Sequence, residues 1–166
     1  MFNPGSNFIQ LEREMTALAA SFRSFLSDSD FYRALGNFFY DTGSGRCAVV
    51  AYSLSSQFAP LTEQAAMRLN AIQETPFYNK MFVITGDLSR MERSEALLEI
   101  RKRGGLTSDS PVNTMDYLIL GVQEWSAMNG GVASRKVQKA AELQKKGRNI
   151  KIISEDDFYT MLSSCE

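Results

Sequence analysis

Two short runs restrict what this chain can fold into. Met81-Phe82-Val83-Ile84 is apolar throughout and ends at Thr85-Gly86, and the pattern returns at Tyr117-Leu118-Ile119-Leu120 ahead of Gly121. Neither run alternates as a strand with one wet face would, so both suit strands buried on both sides. Ile150 to Ser154 predicts a further strand, and Leu106-Thr107 starts a short one. Helical stretches lie between them. Arg90 to Arg103 presents Leu97, Leu98 and Ile100, and Gly104-Gly105 ends it in a turn that needs positive φ. Ser134 caps a helix running to Lys146, closed by Gly147. Glu155, Asp156 and Asp157 fall in the first turn of a last helix through Phe158 and Leu162, where the helix dipole favours acids. Trp125 to Ala133, with Gly130-Gly131, reads as a loop. The order is βαββαβα, an α/β fold with a small parallel sheet of four strands covered by helices on both faces.

The first 75 residues follow another pattern and form a mostly helical N-terminal region. From Asn7 to Leu26, Phe8, Leu11, Met15, Leu18, Phe22 and Phe25 recur at alternating spacings of three and four, the seam of a heptad repeat. Such a seam packs on its own domain or pairs with its copy in a homodimer. Ser27 to Asp30 breaks this helix and caps a second short one through Phe31 and Leu35 to about Tyr40. Asp41 to Gly45 is a plain turn, since no Gly-Lys-Ser/Thr follows it to cradle a phosphate. Cys47 to Leu54 is a strand or a buried helix, and its period does not decide which. Leu61 to Glu74 is helix-like and Pro76 closes it. The expected division is therefore residues 1–75 and a second domain over 77–166.

Composition removes several kinds of chemistry. The 166 residues contain no histidine and two cysteines, Cys47 and Cys165, far apart in the chain. A histidine metal site, a Ser-His-Asp triad and a Cys-His dyad are excluded. No metal or cofactor is expected, and no enzyme activity. With 44% hydrophobic and 22% charged residues, a packed core is expected rather than disorder. No apolar run is long enough to span a membrane. Glu12, Arg13 and Glu14 stand where a signal peptide needs an apolar centre, so a cytoplasmic setting is expected. The formal net charge of −1 is nearly neutral, but the basic residues bunch at Arg101-Lys102-Arg103, Arg135-Lys136, Lys139 and Lys145-Lys146.

Five segments in order carry a family resemblance. They are Phe82-Val-Ile-Thr-Gly-Asp-Leu-Ser-Arg-Met-Glu-Arg-Ser-Glu-Ala96, Gly104-Gly105, Asp116-Tyr-Leu-Ile-Leu-Gly121, Ser134-Arg-Lys-Val-Gln-Lys-Ala140 and Ile152-Ile-Ser-Glu-Asp-Asp-Phe158. Together they resemble BRCT domains, such as those of NAD-dependent DNA ligase, the large subunit of replication factor C and bacterial polymerase exonuclease subunits. The resemblance covers about 88 residues. Asn113-Thr114-Met115 replaces the family's Lys-Lys-Thr and removes basic charge beside the sheet. The catalytic motifs of those relatives are absent from this chain.

The resemblance implies a non-catalytic binding module of DNA replication or repair. It places an anion where the first strand meets the first helix. Thr85 supplies a hydroxyl, Gly86 a backbone N–H without a Cβ in the way, Arg93 a bidentate guanidinium and Lys136 a point charge. Lys139, one turn on, and Arg90 are flanking candidates. The partner so implied is a 5′-phosphorylated DNA end. A phosphoprotein read by the same pocket, or a scaffold dimerised by the N-terminal seam, is the alternative.

Overall fold

The structure, a computed structural model, describes residues 26–130 and 133–165. The apolar runs become the strands of one parallel sheet. In chain order these are β1 (Met81–Thr85), β2 (Leu106–Ser108), β3 (Tyr117–Leu120) and β4 (Lys151–Ser154), arranged β2-β1-β3-β4. The helices are α1 (Asp28–Asp41), α2 (Gly45–Phe58), α3 (Glu63–Gln73), α4 (Arg93–Lys102), α5 (Val122–Gly130), α6 (Arg135–Lys145) and α7 (Glu155–Ser163).

The inner strands are buried on both sides because each face of the sheet meets a different helix layer. Side chains alternate along β1. Phe82 and Ile84 join Ile119 against Ala96 and Ile100 of α4 and Phe158 and Leu162 of α7. Val83 joins Leu118 and Leu120 against Val137, Ala140 and Leu143 of α6. The parallel register sets Val83 beside Leu118 and Ile84 beside Ile119, so each layer matches across the strand pair. Phe77 plugs the α4–α7 side, edge-on to Phe158 and 5.2 Å from the Phe82 ring. The predicted four-stranded parallel sheet with helices on both faces is what forms.

Two local expectations, at Trp125 and at Arg90, need correction, and two others are narrowed. Trp125 lies on α5 and packs on the α6-side core, where a loop was expected. Val122 to Gly130 carries no strong apolar stripe, so periodicity did not mark it. Cys47 to Leu54 is helical within α2, which buries Ala48, Val49, Ala51 and Tyr52. The helix expected from Arg90 starts at Arg93 instead, and it buries Ala96 and Ile100 while Leu98 is exposed. Of the two glycines after it, only Gly104 has positive φ, at 78°. Gly105 is small for another reason: a Cβ there would lie 2.5 Å from Ile100 Cγ2.

Helices α1 to α3 share a separate small core of Ala48, Val49, Tyr52, Ala65 and Ile72. They join the sheet domain at the end of α4, where Thr75 donates to the Arg103 carbonyl at 2.8 Å. The predicted helix from Asn7, with Phe8, Leu11, Met15, Leu18, Phe22 and Phe25, lies outside the described residues. Among the described residues no helix is long and apolar enough to cross a membrane.

The amino-terminal edge of the sheet is tied by one side chain. Asp116 accepts from the Met81 N–H at 2.8 Å, its own backbone bonds to Met81 and Lys151, and Lys80 pairs with its carboxylate at 3.5 Å. Asp116→Ala leaves the Met81 donor without its side-chain acceptor. Loss of about 1–3 kcal/mol of unfolding free energy is expected in urea titrations, with the denaturant slope unchanged.

Candidate anion-binding site

Strand β1 outruns its neighbour on one side. β2 accompanies it only to Val83, opposite Ser108, whereas β3 stays with it to Thr85, opposite Leu120. The Thr85 carbonyl accepts from Gly121 N–H at 2.9 Å on the β3 side. Successive carbonyls of a strand point to opposite edges, so the Ile84 carbonyl faces the side where β2 has ended. A backbone acceptor at the end of a buried strand must find a partner. It finds two: Arg93 Nη1 at 2.8 Å and Lys136 Nζ at 3.2 Å. Arg93 Nη2 donates to the Gly86 carbonyl at 2.7 Å. A guanidinium from the first residue of α4 and an ammonium from the first turn of α6 therefore meet on one oxygen.

Gly86 sits at this junction with φ 75°. A Cβ there would lie 2.7 Å from Cγ of Glu124, on the first turn of α5. Thr85, 5% exposed, is on the same side of β1 as Val83, the α6 side that carries Lys136. The place is the crevice beyond the carboxyl ends of β1 and β3. There the chain leaves β1 for β2 on one flank and leaves β3 for β4 on the other, the switch point where ligands bind in open α/β sheets.

The electrostatics follow from this crowding. Burial pushes the Lys136 ammonium below the usual lysine range, and repulsion from Arg93 pushes it the same way; Asp109 and Glu124 oppose them. Among the described residues neither Arg93 nor Lys136 forms an ion pair. Two cations thus share a site where their hydrogen-bond acceptors are neutral carbonyls, and an anion placed between them relieves their repulsion.

A second layer holds the loop between Gly86 and Arg93. Buried Glu155, at the start of α7, accepts from Ser89 N–H at 2.6 Å and from Ser89 Oγ at 2.7 Å. Burial raises the pKa of this carboxyl, yet the donors Ser89 and Tyr159 outweigh it and hold it below the ordinary glutamate value. Ser154 and Asp157 close α7 in a capping box.

Thr85, Gly86, Arg93 and Lys136 are therefore brought together. Arg90 turns to α7 instead, pairing with Asp156 at 2.8 Å and lying 4.8 Å from the centre of the Tyr159 ring. Lys139 is exposed on α6 and pairs with Glu142 at 3.2 Å. Arg93 is the first residue of its helix. Sequence reasoning missed Glu124, which carries no motif of its own. It also missed that Ser134, the residue before α6, has a buried hydroxyl with no partner.

Comparison with known proteins agrees with this architecture. The family model described as the BRCA1 C Terminus (BRCT) domain matches residues 72–162. The chain belongs to the BRCT family. Its BRCT region is similar to DNA ligases: 33% identical over 97 residues to that of Legionella pneumophila (strain Corby), 58% of this chain. It is 37% identical over 84 residues to the DNA ligase of Endomicrobium trichonymphae, 51% of this chain, and 39% identical over 83 residues to that of Chlamydia felis (strain Fe/C-56), 50% of this chain. The match spans 12%, 10% and 10% of those three ligases.

Two outcomes test the site's electrostatics. Glu124→Gln removes a negative neighbour that supports the Lys136 charge, so the Lys136 amine, followed by NMR titration, is expected to move further down. Glu155 has its folded pKa depressed, so its stabilising effect is present above the ordinary glutamate range and is lost as pH falls through the folded value. In Glu155→Gln that part of the acid-side loss should vanish from a series of unfolding curves. An unchanged pH profile would mean that the carboxylate does not hold the loop.

Proposed function

We propose that this chain is a non-catalytic BRCT module of DNA replication or repair that binds 5′-phosphorylated DNA ends. The reading rests on one observation above all: Arg93 and Lys136 converge beside Gly86 without an ion-pair partner among the described residues. A terminal phosphate is more charged and less crowded than an internal one, so a compact two-cation site is suited to it. Thr85 donates its hydroxyl and Gly86 its N–H. Arg93 presents its remaining N–H donors as a fork, and Lys136 adds a point charge. The likeness to DNA ligases favours a nucleic-acid ligand over a phosphoprotein.

In this proposal residues 77–166 form the binding domain and residues 1–75 a helical N-terminal region whose heptad seam, Phe8 to Phe25, pairs two copies. Arg90 serves as a flanking contact. Its pair with Asp156 is exposed on both sides and worth at most about 1 kcal/mol, so a phosphate can compete for it. The setting is cytoplasmic, and the protein works without metal or cofactor.

Fluorescence anisotropy with matched duplexes, with and without a 5′ phosphate, tests the reading. Wild type is expected to prefer the phosphorylated end by at least about tenfold, or about 1.4 kcal/mol. Lys136→Gln should reduce that preference, and Arg93→Ala/Lys136→Ala should abolish it. Because Arg93 also braces two backbone carbonyls, thermal unfolding is run on each variant and Arg93→Lys is included. Equal binding of the two duplexes by wild type would overturn the proposal. Capture of phosphopeptides through Arg93 and Lys136 would move the site to a protein partner.

A further inference from the structure

We infer that the exposed face of α6 is a track for the sugar-phosphate backbone of the strand whose 5′ end sits at Gly86. This rests on the DNA-end reading and adds a second, separate contact surface to it.

Helix α6 buries Val137, Ala140 and Leu143 against the sheet. At about 100° per residue the opposite face carries Arg135, Lys139, Glu142 and Lys146, in a stripe adjoining the edge where Lys136 enters the site. All four are exposed. Arg148 continues the line beyond the turn at Gly147 and is exposed too. The stripe therefore holds four cations and one acid, and that acid is partnered by Lys139.

The dimensions fit one strand of a duplex. From Arg135 to Lys145 the helix rises about 15 Å. That is the axial rise of about four phosphate-to-phosphate steps of one strand. Beyond Arg90 the opposite flank of the site is unsuited to the same ligand, because α7 opens with Glu155, Asp156 and Asp157, of which only Asp156 is paired with a cation among the described residues. A polyanion anchored at Gly86 is thus directed over α6 by charge on both sides. The cations along the track contact phosphates only, so they add affinity and salt dependence without sequence preference.

The test is the salt dependence of binding to the 5′-phosphorylated and unphosphorylated duplexes, compared between wild type and Arg135→Gln/Lys139→Gln/Lys146→Gln. All three substitutions are at exposed positions, and circular dichroism checks that α6 persists. The slope of log K against log salt is expected to become shallower by about 2–3, at roughly 0.9 per lost contact, with the preference for the phosphorylated end retained. Glu142→Gln, which removes the single acid from the stripe, is expected to tighten binding to both duplexes. An unchanged slope in the triple variant with end preference intact would overturn the track and leave the DNA-end reading standing. A shallower slope without any end preference in wild type would show phosphate contacts on α6 but overturn the end reading and, with it, a track anchored at Gly86. Failure of Glu142→Gln to tighten binding would count against the track even if the triple variant were unstable.

Discussion

The site depends on a single backbone acceptor, the Ile84 carbonyl. β1 is an inner strand, and inner strands normally satisfy their polar groups through the ladder on both sides. Here β2 stops two residues early, and the fold must bring donors from elsewhere. It brings them from two helices on opposite faces of the sheet: α4 on the side of Phe82 and Ile84, α6 on the side of Val83. Arg93 and Lys136 are thus held in place by a structural need that exists without a ligand. Preorganisation of this kind lowers the conformational entropy lost on binding. It also makes the cations hard to remove without loosening the end of β1, so the proposed binding and the stability of β1 are linked at Arg93.

The same helix connects the site to the rest of the chain. The first residue of α4 reaches the Ile84 and Gly86 carbonyls, and the turn after its last residue receives α3. At that turn Gly104, with φ 78°, allows close approach; a Cβ would lie 2.8 Å from Ile72 Cγ2 and from Tyr78 Cδ2. The Asn79 N–H donates to the Gly104 carbonyl at 3.1 Å, and Thr75 covers the Arg103 carbonyl. Helices α1 to α3 therefore seat at the end of α4 remote from the site. The N-terminal helices and the proposed anion site at Gly86 lie at opposite ends of a helix about 15 Å long.

Much of this was legible in the residues, for physical reasons that differ by element. The inner strands were plain because burial on both faces leaves no polar alternation, and Met81 to Ile84 and Tyr117 to Leu120 are apolar without interruption. Thr85, Gly86, Arg93 and Lys136 were legible through ordered motifs, and the structure places them together. Helix α5 was not legible: Gln123, Glu124, Ser126 and Asn129 leave no apolar stripe, and Gly130-Gly131 argued for a turn. Its helicity follows from its position, since Trp125 N–H bonds back to the Gly121 carbonyl at 3.0 Å and the ring packs on the α6-side core. For Cys47 to Leu54 the apolar run fitted either state, and tertiary packing of Ala48 and Tyr52 decided for helix. Glu124 was invisible because its role comes from lying over Gly86, a contact between the ends of two parallel strands far apart in sequence.

Net charge also hid the character of the site. At a formal −1 the chain does not look like a binder of anions. Yet the acids nearest the loop between β1 and α4 are engaged locally: Glu155 by Ser89, Asp156 by Arg90, and Asp157 by Ser154. The Arg90 pair leaves less negative potential to reach Gly86, whereas the serine donors orient Glu155 and Asp157 without cancelling their charge. Arg93 and Lys136 face carbonyl dipoles, which orient a cation but do not cancel its charge. Asp109 and Glu124 act on Lys136 against both burial and Arg93, with the lysine still held below its ordinary range. What sets the field at Gly86 is therefore which charges have already found partners, and total charge bears on solubility far more than on this site.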